Sequence, residues 1–166
     1  MTATYLIRLR NFILLAIVQI SIFAHIHLYG YATACVALIF LLKLPRHTSR
    51  NEQLIWGFLL GLVIDLFGNT PGIYAAASTA TAFIRNIILE RFVQKGVSDD
   101  FVPSIATMNS GRYLSYSAIC VLLFYIILYL LELFTINYPI PLLISAASST
   151  LLTLLFVAVA EFFTRK

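Results

Sequence analysis

Few side chains in this sequence could do chemistry, and their spacing decides among them. His25 and His27 are two residues apart, so on a helix they point away from each other and are poorly placed to share a metal ion. His47 falls across the hydrophobic sequence from them. Cys35 and Cys120 have no convincing histidine partner, and no serine forms a Ser/His pair. The carboxylates do not cluster as a metal-dependent lipid-phosphate enzyme requires, and no glycine-rich phosphate loop is present. Gly68-Asn69-Thr70-Pro71-Gly72 is turn chemistry. No catalytic residue, metal or cofactor is therefore expected. The residues that need explaining are Asp65, Arg85 and Glu132, charges set within or beside apolar runs.

Those runs are the elements that must position them. The chain has 166 residues, 61% hydrophobic and 11% charged, with mean hydropathy +0.94, a composition incompatible with an ordinary water-soluble surface. Apolar stretches cover 11–29, 31–44, 54–67, 72–93, 113–134 and 140–163. Six spans of about 20 residues need about 120 residues, which leaves ends and turns but no room for a separate soluble domain. The expected fold is an all-α integral membrane protein: one transmembrane domain, 1–166, forming a six-helix bundle. Spans two and three are short, about 21 Å at fourteen residues each, and must borrow flanking residues or sit among longer helices.

All 11 basic residues fall on one side of this arrangement. Arg8 and Arg10 precede span one, and Lys43, Arg46 and Arg50 lie between spans two and three. Arg85, Arg91, Lys95 and Arg112 mark the junction of spans four and five, and Arg165 and Lys166 follow span six. The turns near Gly30, Asn69 and Asn137 carry none. Basic residues stay cytoplasmic on insertion, so both termini are expected inside. The formal charge of +4 belongs to anchors that favour anionic membrane lipid, and nucleic acid is not an expected partner. Arg8 and Arg10 before an apolar run resemble a signal peptide, but His25 and His27 interrupt it and apolar sequence resumes after Cys35, so span one is expected to be retained. Cys35 and Cys120 lie at different depths and are expected to be packing residues without a disulfide.

Packing faces can be read in the same way. Gly57, Gly61 and Asp65 recur every four residues on one face of span three, and the two glycines form a Gly-x-x-x-Gly surface for close helix approach, first of all within the bundle. Span four is rich in small residues, including Ala76 and Ala80, and span six carries a small run that includes Ser145 and Ser149. Spans three, four and six are therefore expected to pack together. Span five, with Tyr116, Phe124, Tyr125 and Tyr129, is expected to face lipid or a partner helix.

Asp65 lies about a turn below the outer surface and should face a bundle interior, a cavity or a partner. Its charge could be met by a partner's donor or by the free N–H groups that begin span four after Pro71-Gly72. Arg85 is too deep on the other side to reach it, and is expected to snorkel towards the cytoplasm. Glu132, on the same side as Asp65, is expected to reach headgroup water.

The segment from Gly57 to Asp65, with Pro71-Gly72 and the alanine-rich helix after it, resembles the signature of the bacterial rod shape-determining protein MreD family; length and six-span hydropathy are similar throughout. The resemblance implies a non-enzymatic subunit of the cell-elongation machinery in the bacterial inner membrane. It would bind the single-span protein MreC and link MreB filaments indirectly to the peptidoglycan polymerase and transpeptidase. It also implies a fold like that of the substrate-binding components of energy-coupling-factor vitamin transporters, and a ligand-binding transporter component is the alternative reading. The stretch 94–112, with Asp99, Asp100 and Pro103, matches no motif of the family.

Overall fold

The computed structural model describes residues 2–21, 27–28, 32–93, 101–133 and 139–164, with side chains over 5–21, 33–93, 101–132 and 144–162. The turns near Gly30 and Asn137, the paired histidines' side chains, Lys95, Asp99, Asp100, Arg165 and Lys166 lie outside the described residues. The fold is almost entirely helical: α1 (Thr2–Ser21), α2 (Leu38–Leu42), α3 (Arg50–Gly68), α4 (Ile73–Phe92), α5 (Ile105–Met108), α6 (Ser110–Leu133) and α7 (Pro139–Thr164). A two-residue antiparallel ladder joins β1 (His27–Leu28) to β2 (Ala32–Thr33). Arg50–Gly68, Ser110–Glu132 and Ile144–Phe162 are long and apolar enough to cross a membrane.

The distribution of side chains agrees with membrane association. Leu66, Leu151 and Phe162 are more than two-thirds exposed, while Arg85, Tyr113, Tyr116, Ser117, Tyr125, Ser149 and Thr153 are fully buried. Water would penalise such an arrangement, because it leaves apolar surface wet and draws polar groups inward. In an apolar solvent, polar groups gain most by turning towards one another.

Helix boundaries follow local chemistry. Ser49 caps α3 by accepting the Glu52 N–H at 3.3 Å, which satisfies one of the free donors of the first turn. Asn69 ends α3 in the left-handed conformation at φ 53°, and Gly72 begins α4 at φ 79°. Gly72 adopts that φ without a Cβ clash. At the opposite end, Ser104 and Thr107 form a capping box on the single turn of α5.

Antiparallel α3 and α4 form one hairpin, and α6 packs on α4 and α7. Helix α1 joins through an aromatic cluster in which Phe12, Phe40 and Trp56 lie 5.2–5.4 Å apart between centroids. Arg8 also reaches Glu52 across the α1–α3 contact at 2.5 Å.

Two expectations are corrected here. The second apolar run does not form one long helix: residues 34–37 are non-helical, and α2 spans only five residues before Lys43 and Pro45. Every residue from Ala34 to Leu42 is nonetheless buried, so the run is apolar because the bundle encloses it. Span five, the expected lipid-facing or partner-facing helix, is instead the central one. Tyr113, Tyr116, Phe124 and Tyr125 of α6 have no exposed surface. Bulky side chains filled the middle because α4 and α7 present small residues to them.

Candidate functional site

The α3/α4 seam brings two helix backbones into close contact. A Cβ built on Gly57 would lie 2.8 Å from the Ala82 Cβ and 3.0 Å from the Ser78 carbonyl oxygen. One built on Gly61 would collide with Ser78 Oγ, the Tyr74 carbonyl oxygen and the Ala75 Cα. Ser78 fastens the two backbones by donating to the Gly57 carbonyl at 2.7 Å. The Gly-x-x-x-Gly face is therefore used inside the chain, where close backbone approach replaces side-chain interdigitation.

Asp65 closes the top of this seam. One carboxylate oxygen accepts from the Thr70 hydroxyl at 2.5 Å and the Tyr74 N–H at 3.0 Å; the other accepts from the Ala75 N–H at 2.8 Å. Of the two sources of donors weighed for Asp65, the start of α4 supplies them. A carboxylate there satisfies free N–H groups and lies at the positive end of the helix dipole. Pro71 and Gly72 shape the turn that aims α4 back at Asp65.

Ala76 and Ala80 are not seam residues. Ala76 is exposed and Ala80 half-buried, and both line a groove of about 1180 Å³ on the outer side of the hairpin. The seam uses Ala75, Ser78 and Ala82 instead. Ser145 and Ser149 are buried, but the expected packing of their helix on α3 and α4 is corrected: α7 packs mainly on α6 and β2.

A second constellation holds the irregular stretch 32–44. The Tyr125 hydroxyl donates to the Thr33 carbonyl at 2.6 Å and accepts from the Cys35 N–H at 3.0 Å. The Cys35 N–H also reaches Thr153 Oγ1 at 3.2 Å, and Thr33 N–H donates to Ser149 Oγ at 3.1 Å. Ser149 in turn meets the Tyr129 hydroxyl at 3.0 Å. Gln19 of α1 donates to the Ala34 carbonyl at 2.9 Å and accepts from the Ala37 N–H at 3.2 Å. Non-helical backbone in an apolar interior survives only with such substitutes for ladder or helix bonds.

Arg85 closes the other end of that stretch. Its guanidinium donates to the carbonyls of Leu42 at 3.1 Å and of Leu44, and to the Asn86 side chain at 3.0 Å. Tyr116 adds a longer bond to the Leu42 carbonyl at 3.3 Å. The expected snorkelling of Arg85 is corrected: its surface is fully buried. Free carbonyls where α2 stops provide a nearer partner than headgroup water.

Lys43, just past α2, pairs with the buried Glu161 of α7 at 2.7 Å, and Glu161 also accepts from Tyr113 at 3.2 Å and the Ile105 N–H at 3.3 Å. Glu132 is half-buried in the last turns of α6. Cys35 and Cys120 are both free and buried.

Gln19, Tyr125, Thr153 and Glu161 carry this second constellation, and the sequence reading did not single them out for it. Tyr125 and Tyr129, like Ser149 and Thr153, are four apart and share a helix face. That spacing was the available signal. Among the described residues, no three His, Cys, Asp or Glu side chains meet in a way that could hold a metal ion. Both constellations can fasten backbones and bear load between helices.

The chain matches no family model, and neither the curated proteins nor the solved structures include a match to it.

Proposed function

We propose that this chain is a non-enzymatic, multi-pass scaffold of the bacterial inner membrane, of the MreD type. In this reading its termini are cytoplasmic and it binds an MreC-like single-span protein. Through that partner it would help place peptidoglycan synthesis relative to MreB filaments during cell elongation. One observation carries the reading: the residues of the resemblance work as a single unit. Gly57 and Gly61 admit α4, Pro71 and Gly72 turn the chain, and Asp65 caps the helix that follows. A rigid hairpin of this kind is suited to holding a partner at a constant position in a bilayer.

Purification of the tagged full chain from native membranes, with identification of retained proteins, is the direct test. Recovery of a single-span MreC-like protein is expected. Recovery of a transporter's ATPase subunits in its place would overturn the scaffold reading. That outcome would favour a substrate-binding transporter component, a second reading supported by the interrupted stretch 32–44, because transporters build sites on broken helices. Orientation is tested separately, in a background with Cys35 and Cys120 replaced. An impermeant thiol reagent applied to intact cells should label a cysteine at Asn69 and leave one at Ser98 untouched.

A further inference from the structure

The groove outside the α3/α4 hairpin, about 1180 Å³, is left unfilled by the described elements. Ala76, Thr79 and Ala80 form its floor, and Phe58, Leu62 and Phe83 rise around it. From the level of Leu54 to that of Asn69 it runs about 22 Å along α3.

Its two ends differ in charge. At the hairpin end, Asp65 is already occupied by Thr70, Tyr74 and Ala75. At the other end the Arg50 guanidinium lies over the Phe83 ring, 4.6 Å from its centroid. Arg91 falls on the α4 face that carries Ala80 and Ile84, about three turns beyond Ala80. Both arginines are exposed, and neither forms an ion pair among the described residues. Of the nearby carboxylates, Glu52 is taken by Arg8 and Glu90 projects from a neighbouring face of α4.

We propose that this groove holds an acyl chain of an anionic phospholipid whose phosphate is bound by Arg50 and Arg91. The inference rests on the membrane-embedded reading and not on the scaffold role. An acyl chain from one leaflet reaches about 15 Å, half the hydrocarbon thickness, and fits within the groove's length. Guanidinium groups bind phosphate through paired N–H donors, and basic pockets between helices on the cytoplasmic side favour anionic headgroups. A partner's transmembrane helix is the weaker occupant. Its cytoplasmic flank would carry basic residues of its own and bring like charge to this end.

The test uses the full chain in nanodiscs of phosphatidylcholine with a minor fraction of phosphatidylglycerol. Mild extraction and native mass spectrometry then identify the retained lipid. The parent should retain phosphatidylglycerol with about tenfold or greater enrichment, given two arginines at the surface. Arg50→Gln with Arg91→Gln should bring the two lipids near parity while melting as the parent does. Ala76→Leu with Ala80→Leu should fill the floor and expel either lipid. Equal retention by the parent, or a preference that survives loss of both arginines, would overturn the inference. So would an Ala76→Cys chain that cross-links through the groove to a second copy or another protein's helix while losing lipid. A chain that never enters the nanodisc removes the membrane reading itself. One that enters without lipid preference removes only this inference.

Discussion

The α3/α4 hairpin and the region between α6, α7 and residues 32–44 solve the same problem by opposite means. Both must keep backbone polar groups bonded in an apolar interior. In the hairpin every backbone group inside the helices has its own partner, so the chain needs only small residues for close approach and one carboxylate to cap the free start of α4. Around 32–44 the backbone leaves regular structure, so hydroxyls, an amide and a guanidinium from α1, α4, α6 and α7 replace the missing bonds. The first solution depends on side chains being absent and the second on their being present. Substitutions should therefore fail in opposite directions, with added bulk breaking the hairpin and removed atoms breaking the irregular stretch.

The largest expected effect is Gly61→Leu. The atoms it would strike include α4 backbone, which cannot move without the whole helix, so the cost should exceed about 5 kcal/mol and leave little folded protein. Leu60→Ala, at the adjacent buried position, should cost about 2–5 kcal/mol and remain partly foldable. Yields of monodisperse, thermally cooperative protein in detergent would compare them; equal yields would remove the case for a tight seam.

Next in size is Arg85→Met, which keeps the bulk of the side chain and removes its donors. Leaving the Leu44 carbonyl unsatisfied, and the Leu42 carbonyl with only its long bond from Tyr116, should cost about 3 kcal/mol. Thermal melting would measure this, and an unchanged midpoint would show that the irregular stretch does not need its cap. Tyr125→Phe tests the same network nearer its start and should cost about 2 kcal/mol. Combined with Thr153→Val, it should cost less than the sum of the two single changes, because both side chains serve the Cys35 N–H. Strict additivity would mean that the hydroxyls act independently.

The smallest effect is expected for Asp65→Asn, about 1 kcal/mol. The amide keeps one acceptor for the start of α4 and loses the charge that favours the helix dipole. Folded yield should fall modestly while folded molecules retain any membrane partner. A variant that folds like the parent and loses a partner selectively would assign Asp65 to the interface.

The hairpin was legible in advance because its information is local. The four-residue recurrence of Gly57, Gly61 and Asp65 defines a face, and Pro71-Gly72 a few residues later defines the turn that brings the next helix onto it. The capping of Asp65 by the start of α4 was foreseen as one of two possibilities for the same reason. Ala76 and Ala80 were misplaced because α4 is small on more than one side. Composition alone could not say which side met α3. Arg85 was misplaced because its partners, the carbonyls of Leu42 and Leu44, belong to a stretch forty residues earlier that reads as continuous helix.

By itself, then, the sequence determined the helical, lipid-compatible character of the chain and the seam between α3 and α4. Each follows from composition or from periodicity within a few turns. Only the tertiary structure decided that the apolar run at 31–44 is interrupted, that the aromatic α6 is central, and that Gln19, Arg85, Tyr125 and Thr153 hold it together. Burial makes a segment apolar whether it is helical or not. The bonds that replace a lost helix come from residues distant in the chain, chosen by where the folded backbone leaves donors and acceptors free.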